Sequence, residues 1–139
     1  MKSCRSDEMV MYLEVAADER LPVGASMGYD IDDPHAVRLE FTYAGSVLAC
    51  WYLDREMLAE GLLRPVGVGN VRLGPATDGT RPALRLRLRG HVPQGPGEAV
   101  LCADASDVAL FLERSYALVA LGSEAPPVEE FLERVFASE

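Results

Sequence analysis

The chain has 139 residues, 49% of them hydrophobic and 25% charged, with a formal net charge of −9. That length suits one domain, residues 1–139, with a buried core, and the composition excludes a disordered chain. The acidic balance disfavours nucleic acid and anionic lipid as partners unless a basic patch is segregated on one face, and no apolar run nears the roughly 20 residues that cross a bilayer.

Arg5, Asp7 and Glu8 interrupt the N-terminus, so no secretory signal is expected and the cytoplasm is the expected compartment. Cys4, Cys50 and Cys102 are odd in number and widely spaced, which argues for reduced thiols. Cys50 and Cys102 fall in apolar strands, where cysteine serves as a small hydrophobe.

Residues 9–16 predict a first strand, with Met9, Met11, Leu13 and Val15 on one face. Residues 21–34 read as a loop, with turn signals at Pro22-Val23-Gly24 and Asp32-Asp33-Pro34. Residues 36–43 alternate: Val37, Leu39, Phe41 and Tyr43 inward, Arg38, Glu40 and Thr42 outward. After the turn at Ala44-Gly45-Ser46 the next strand, 47–53, should return antiparallel. It is apolar on both faces, which predicts cover on both sides.

Asp54 should cap a short helix running to about Leu62, with Met57, Leu58 and Leu62 buried, and Arg64-Pro65 should end it. Strands follow at 71–73, 83–89 and 98–103. A helix then starts near Asp104 or Ser106 and runs to about Leu121. Its stripe is Val108, Phe111, Leu112, Ser115, Leu118 and Val119, and Leu110, Ala117 and Leu121 make it apolar around most of its girth. A last helix should start at Pro126-Pro127, with Val128, Phe131, Leu132, Val135 and Phe136 inward and Glu129 and Glu130 in its first turn. The class is α+β: antiparallel β-sheets with packed helices, in an order of three strands and a helix, then three strands and helices, that hints at a (βββα)-type pseudo-repeat.

Residues with chemistry are few. Gly24-Ala25-Ser26-Met27-Gly28 matches the nucleophile-elbow pattern, but Leu-Pro precedes it and a Tyr-Asp turn follows, where the chemistry needs strand, serine and helix. Small residues in a loop is the better account, and a hydrolase built on Ser26 the poorer one. Gly67, Gly69 and Gly74 are wrongly spaced for a dinucleotide fingerprint, and no lysine lies beyond residue 2 to make a phosphate loop. Turn geometry explains those glycines.

Asp30, Asp32 and Asp33 lack the glycine and glutamate of a calcium loop, since His35 and Phe41 hold those positions. They read as turn formers. His35 and His91 have no metal-like spacing to a cysteine. No catalytic, cofactor or metal residue is therefore assigned, and no enzyme is expected. Arg85, Arg87 and Arg89 alternate with Leu84, Leu86 and Leu88, so one strand face carries three guanidinium groups. Either Glu98 on a neighbouring strand balances them, or they contact a partner, and an acidic protein suits them better than DNA.

One resemblance goes further. Leu21-Pro22, Tyr29-Asp30, Asp33-Pro34, Ala36-Val37, Phe41, Leu58-Ala59-Glu60-Gly61-Leu62, Arg64-Pro65, Gly67, Gly69, Val71-Arg72, Gly97-Glu98-Ala99 and Phe111-Leu112 follow the pattern of the SsgA-like sporulation and cell-division proteins of actinomycetes. The length resembles that of their short single-domain members. Gly74 stands where members carry an aromatic residue near the end of the fourth strand.

The resemblance implies a whirly-like fold and a homotrimer. It implies a non-enzymatic adaptor, without cofactor, that works in sporulation-specific septation. Such an adaptor helps to localise the tubulin-like division GTPase FtsZ to septa through contacts with FtsZ and with other family members. The apolar faces of residues 47–53 and 104–121 separately suggest an oligomer. The rival from another class is a single-stranded nucleic-acid binder of whirly-like fold. The net charge and the few aromatics on polar strand faces oppose it.

Overall fold

The computed structural model describes residues 2–92 and 95–123. The strands are β1 (Ser3–Arg5), β2 (Met9–Ala16), β3 (Glu19–Asp30), β4 (Ala36–Tyr43), β5 (Ser46–Asp54), β6 (Val66–Val68), β7 (Val71–Asp78), β8 (Arg81–Val92) and β9 (Gly95–Asp104). Helix α1 (Arg55–Gly61) follows β5, and α2 (Ala105–Leu118) follows β9. The expected helix from Pro126, with its Val128-to-Phe136 stripe, lies outside the described residues.

One antiparallel sheet holds all these strands, in the order β5-β4-β3-β2-β9-β8-β7-β6, with β1 pairing β3. The sheet curls. Trp51 on β5 approaches Gly90 on β8, although four strands lie between them in the sheet order. The inside of the curl is the core, built from Met11, Met27, Val37, Leu39, Leu53, Leu84 and Leu86 and closed by Leu58 of α1 and Val108 and Phe111 of α2. The seam between the two halves is short: β2 meets β9 only at Tyr12↔Cys102 and Leu13↔Leu101.

The largest correction concerns residues 21–34. Most of the expected loop is β3, the longest-paired strand of the first half. Val23, Ala25, Met27 and Tyr29 are buried, and Gly24, Ser26 and Gly28 alternate with them. The small residues mask a period of two by contributing no polar contrast. Pro22 pairs with Tyr12 but lies before the first β4 pairing at Gly24, at a local edge where proline is tolerated. The turn itself is confined to the aspartates, where the Asp32 amide donates to Asp30 Oδ1 at 2.9 Å.

Smaller corrections share one cause, the end of the core. Val15 and Tyr43 were expected inward and are exposed. Val15 is the unpaired residue of a register shift between Glu14 and Ala16 in β2, and Tyr43 lies past a shift between Phe41 and Thr42 in the β4–β5 pair. Five strands precede α1 and four precede α2, where three and three were expected.

Both helix starts are as expected. Asp54 accepts from the Met57 amide at 3.0 Å and Asp104 from the Ser106 amide at 2.8 Å, each satisfying an N–H that the first turn leaves open. The Ser106 hydroxyl and amide hold the Asp104 carboxyl below the usual carboxylate range. Asp104 therefore ionises more readily in the folded chain than in the unfolded one. Its stabilising effect is complete above the unfolded value near ~3.9 and fades as pH falls through the lower folded value. We expect Asp104→Ala to lower unfolding free energy by about 1 kcal/mol at pH 7. Urea titrations of the variant and the parent should converge at the acid end, and a gap that persists or widens there would refute this assignment.

Candidate protein–protein interface

Three regions carry the polar and apolar groups that could meet a partner. At the first, β1, β3 and β4 lie side by side, and Ser26 accepts a hydrogen bond from Arg5 Nη2 at 3.2 Å. Arg38 donates to Glu40 at 2.8 Å and, through Nε, to the Cys50 sulfur at 3.2 Å. Ser26 is thus mid-strand, with arginine as its neighbour. It lacks the strand-to-helix turn of a nucleophile elbow. Cys50 departs from expectation: it is exposed on the outer face of β5, while Cys102 is buried. Cys4, half-buried, has its thiol pushed up by burial.

The glycines serve the backbone. Gly69, at φ 59°, turns β6 into β7, and a Cβ on Gly67 would fall 2.9 Å from the Val71 carbonyl oxygen. His35 lies between the aspartate turn and β4, and its carbonyl accepts from the Arg55 amide at 2.7 Å. His91 lies in β8.

The second region is the outer face of β7, β8 and β9, where the structure separates the three singled-out arginines. Arg85 reaches Glu14 on β2 at 3.2 Å. Arg87 and Arg89 share Glu98, at 3.8 and 3.4 Å. Arg72, directly opposite Arg87 on β7, completes the group and had not been singled out. At the β7–β8 turn end of this face, Arg20 pairs with Asp78 and Arg81 with Asp104. Exposed pairs of this kind contribute roughly 0–1 kcal/mol each, so they matter more for recognition than for stability.

The third region is the free edge of the sheet. Among the described residues, β5 pairs only with β4. Ala49, Trp51 and Leu53 face the core, but Val47 is 62% exposed, Leu48 56% and Tyr52 64%, with Tyr43 beside them on β4. Among the described residues, the cover expected on both faces of this strand is found on one face only. Leu110 and Leu121, expected in a buried flank, are exposed too.

Behind these surfaces sits a residue that sequence reasoning missed. Arg55, the first residue of α1, is fully buried. Its Nη1 donates to the Ser115 carbonyl at 3.2 Å and the Val119 carbonyl at 2.7 Å, with the Ser115 hydroxyl at 3.4 Å. The guanidinium lies over the rings of Tyr29 and Tyr116, at 4.8 and 4.6 Å. No basic residue stands in the last turn of α2, so Arg55 supplies from another element the cation that its carbonyl end favours. One signal was available. An arginine in a first turn opposes the helix dipole, and Ala59, four residues on, offers it no ion pair.

Comparison with known proteins decides the family. The profile described as "Streptomyces sporulation and cell division protein, SsgA" matches residues 23–124. The chain belongs to the SsgA family. It is 36% identical to the sporulation-specific cell division protein SsgB of Streptomyces coelicolor over 124 residues, covering 89% of this chain and 88% of that protein. It is 38% identical to the protein of the same name from Kineococcus radiotolerans over 117 residues, 84% of this chain and 69% of that one.

Among solved structures, an SsgA-like sporulation-specific cell division protein from Thermobifida fusca superposes with a TM-score of 0.79 at 29% identity, covering 97% of this chain and 95% of that one. S. coelicolor SsgB, in work correlating its mutations with longitudinal cell division during sporulation, superposes at 0.76 and 37%, covering 88% and 91%. This member of the SsgA family is thus of the sporulation and cell-division class. Its curled antiparallel sheet with two described helices is the fold of SsgA-like structures. No described helix is long and apolar enough to cross a membrane.

Proposed function

We propose that the chain is a non-enzymatic, cytoplasmic adaptor in sporulation-specific septation. In this reading it is recruited to division septa and helps to localise FtsZ through protein–protein contacts, with other SsgA-like proteins as further partners. The observation that carries the reading is the apolar free edge formed by Val47, Leu48, Tyr52 and Tyr43. An exposed edge strand of this kind is a template for pairing with another protein. The family's description as sporulation and cell division proteins supports septation as the setting for that pairing.

We place self-association at this edge, in a homotrimer of whirly-like units. Burying Val47, Leu48 and Tyr52, each somewhat more than half exposed, would contribute about 1–2 kcal/mol apiece per copy. Three linked copies of a weak FtsZ-facing surface would then bind a polymer far more tightly than one.

Val47→Lys sets a charge on the edge without touching the core. Light scattering coupled to gel filtration should show the parent at trimer mass and the variant at monomer mass, with unchanged circular dichroism. The adaptor role itself is read by co-sedimentation with GTP-assembled FtsZ polymers. The parent should enter the pellet, and the variant should need at least about tenfold more protein to do so. A parent that stays in the supernatant at every concentration would overturn the FtsZ reading. A variant that remains trimeric would overturn the placing of the interface.

A further inference from the structure

The arginine face has a chemistry of its own. Arg72 and Arg87 are direct cross-strand partners, and Arg89 lies two residues along β8 from Arg87. Like charges placed opposite one another destabilise a sheet unless an anion lies between them. The carboxylate that reaches this group is Glu98, and it is divided between Arg87 and Arg89. Among the described residues, Arg72 forms no ion pair. Three guanidinium groups against one carboxylate leave a surplus of two positive charges, on a chain whose net charge is −9.

The surplus borders a cavity of about 80 Å³ lined by Gly69, Asn70, Arg72, Arg87, Arg89 and Glu98. A carboxylate and a water fit there, a water taking about 30 Å³. The rim is rigid. The Gly69 turn and the bond from the Arg89 amide to the Asn70 carbonyl at 2.9 Å tie the β6–β7 turn to β8. Planar guanidinium forks on such a frame match carboxylates in bidentate geometry.

We propose that the Arg72–Arg87–Arg89 face docks a carboxylate-rich peptide segment of a partner protein, one acidic side chain entering between Arg72 and Arg89 in competition with Glu98. Nucleic acid fits the face poorly. Its binding draws on several phosphate contacts and on aromatic stacking, and no aromatic side chain is among the residues lining this cavity. The inference adds a partner chemistry to the adaptor reading and rests on it only in requiring that a protein partner exists. The experiment below contains no FtsZ, so it can fail while the co-sedimentation succeeds, and the reverse.

A fluorescein-labelled peptide of ten residues alternating Glu and Gly is titrated with the full chain, read by anisotropy at low and at physiological salt. Saturable binding that weakens with salt is expected. Arg72→Ala and Arg89→Ala should each weaken it about tenfold, the loss of one charge-assisted pair. Arg81→Ala, which removes an arginine at the far end of β8, should change it less than twofold. Glu98→Gln removes the internal competitor and should tighten binding at least about threefold, a gain that misfolding cannot mimic. No saturable binding by the parent overturns the proposal. So does an equal loss in Arg81→Ala, an unchanged or weaker affinity in Glu98→Gln, or tighter binding of a ten-residue oligo-dT than of the peptide.

Discussion

Arg55→Ala should unfold this protein at markedly lower urea, with a loss of about 3–5 kcal/mol. The side chain is fully buried, and its guanidinium holds the last turn of α2 through the Ser115 and Val119 carbonyls. Truncation leaves those acceptors without their donor, at about 1–3 kcal/mol for each buried group that stays unsatisfied. It also empties the space between Tyr29 and Tyr116. For a domain whose whole stability is about 5–15 kcal/mol, that is a large share.

Arg55→Lys separates charge from shape. Lysine keeps the cation at the carbonyl end of α2 but loses the planar fork and the stacking, so a loss of roughly half is expected. If Arg55→Ala unfolded within about 1 kcal/mol of the parent, α2 would be held by its apolar face and not by Arg55.

Gly61→Val comes second in size. Gly61 ends α1 against the inner face of the sheet, and a Cβ placed there would lie 2.7 Å from Leu73 Cβ, with Leu84 Cδ1 at 3.5 Å. Leu73 and Leu84 are both buried, so neither can swing into solvent. The clash is with a Cβ, which moves only with its backbone. Overpacking of this kind costs about 1–3 kcal/mol, and the branched valine should fall at the upper end.

Gly61→Ala should cost less, because alanine regains about 1 kcal/mol of helix propensity over glycine. The order parent, Ala, Val in urea midpoint is the result to look for. Two variants within about 0.5 kcal/mol of the parent would mean that α1 and β7 separate easily, and that Gly61 answers to something other than close approach. Neither substitution reaches the β5 edge or the arginine face directly. A loss of partner binding in either variant should therefore track unfolding and vanish at low temperature.

What the sequence by itself determined is local, or rests on patterns carried within one segment. The Asp54 and Asp104 caps, the alternation of Val37, Leu39 and Phe41, and the Val108–Phe111–Leu112–Ser115 stripe depend on residues at most a few positions apart, and all are found in place. The family could be read for a similar reason, because the motifs that carry the resemblance each lie within a short stretch of the chain.

Only the tertiary structure decided the rest. β3 hid behind Gly24, Ser26 and Gly28, which show no polarity of their own and became a strand face only between β2 and β4. Val47, Leu48 and Tyr52 read as core from their hydropathy, but no described element packs on their face of β5. Arg85 left the expected trio and Arg72 joined it, because cross-strand neighbours are set by register. Arg55 meets carbonyls 60 and 64 positions away, a distance over which hydropathy and spacing hold no information. Propensity and capping act within a turn of chain, whereas edges, ion pairs and buried charges belong to whichever strands the fold makes neighbours.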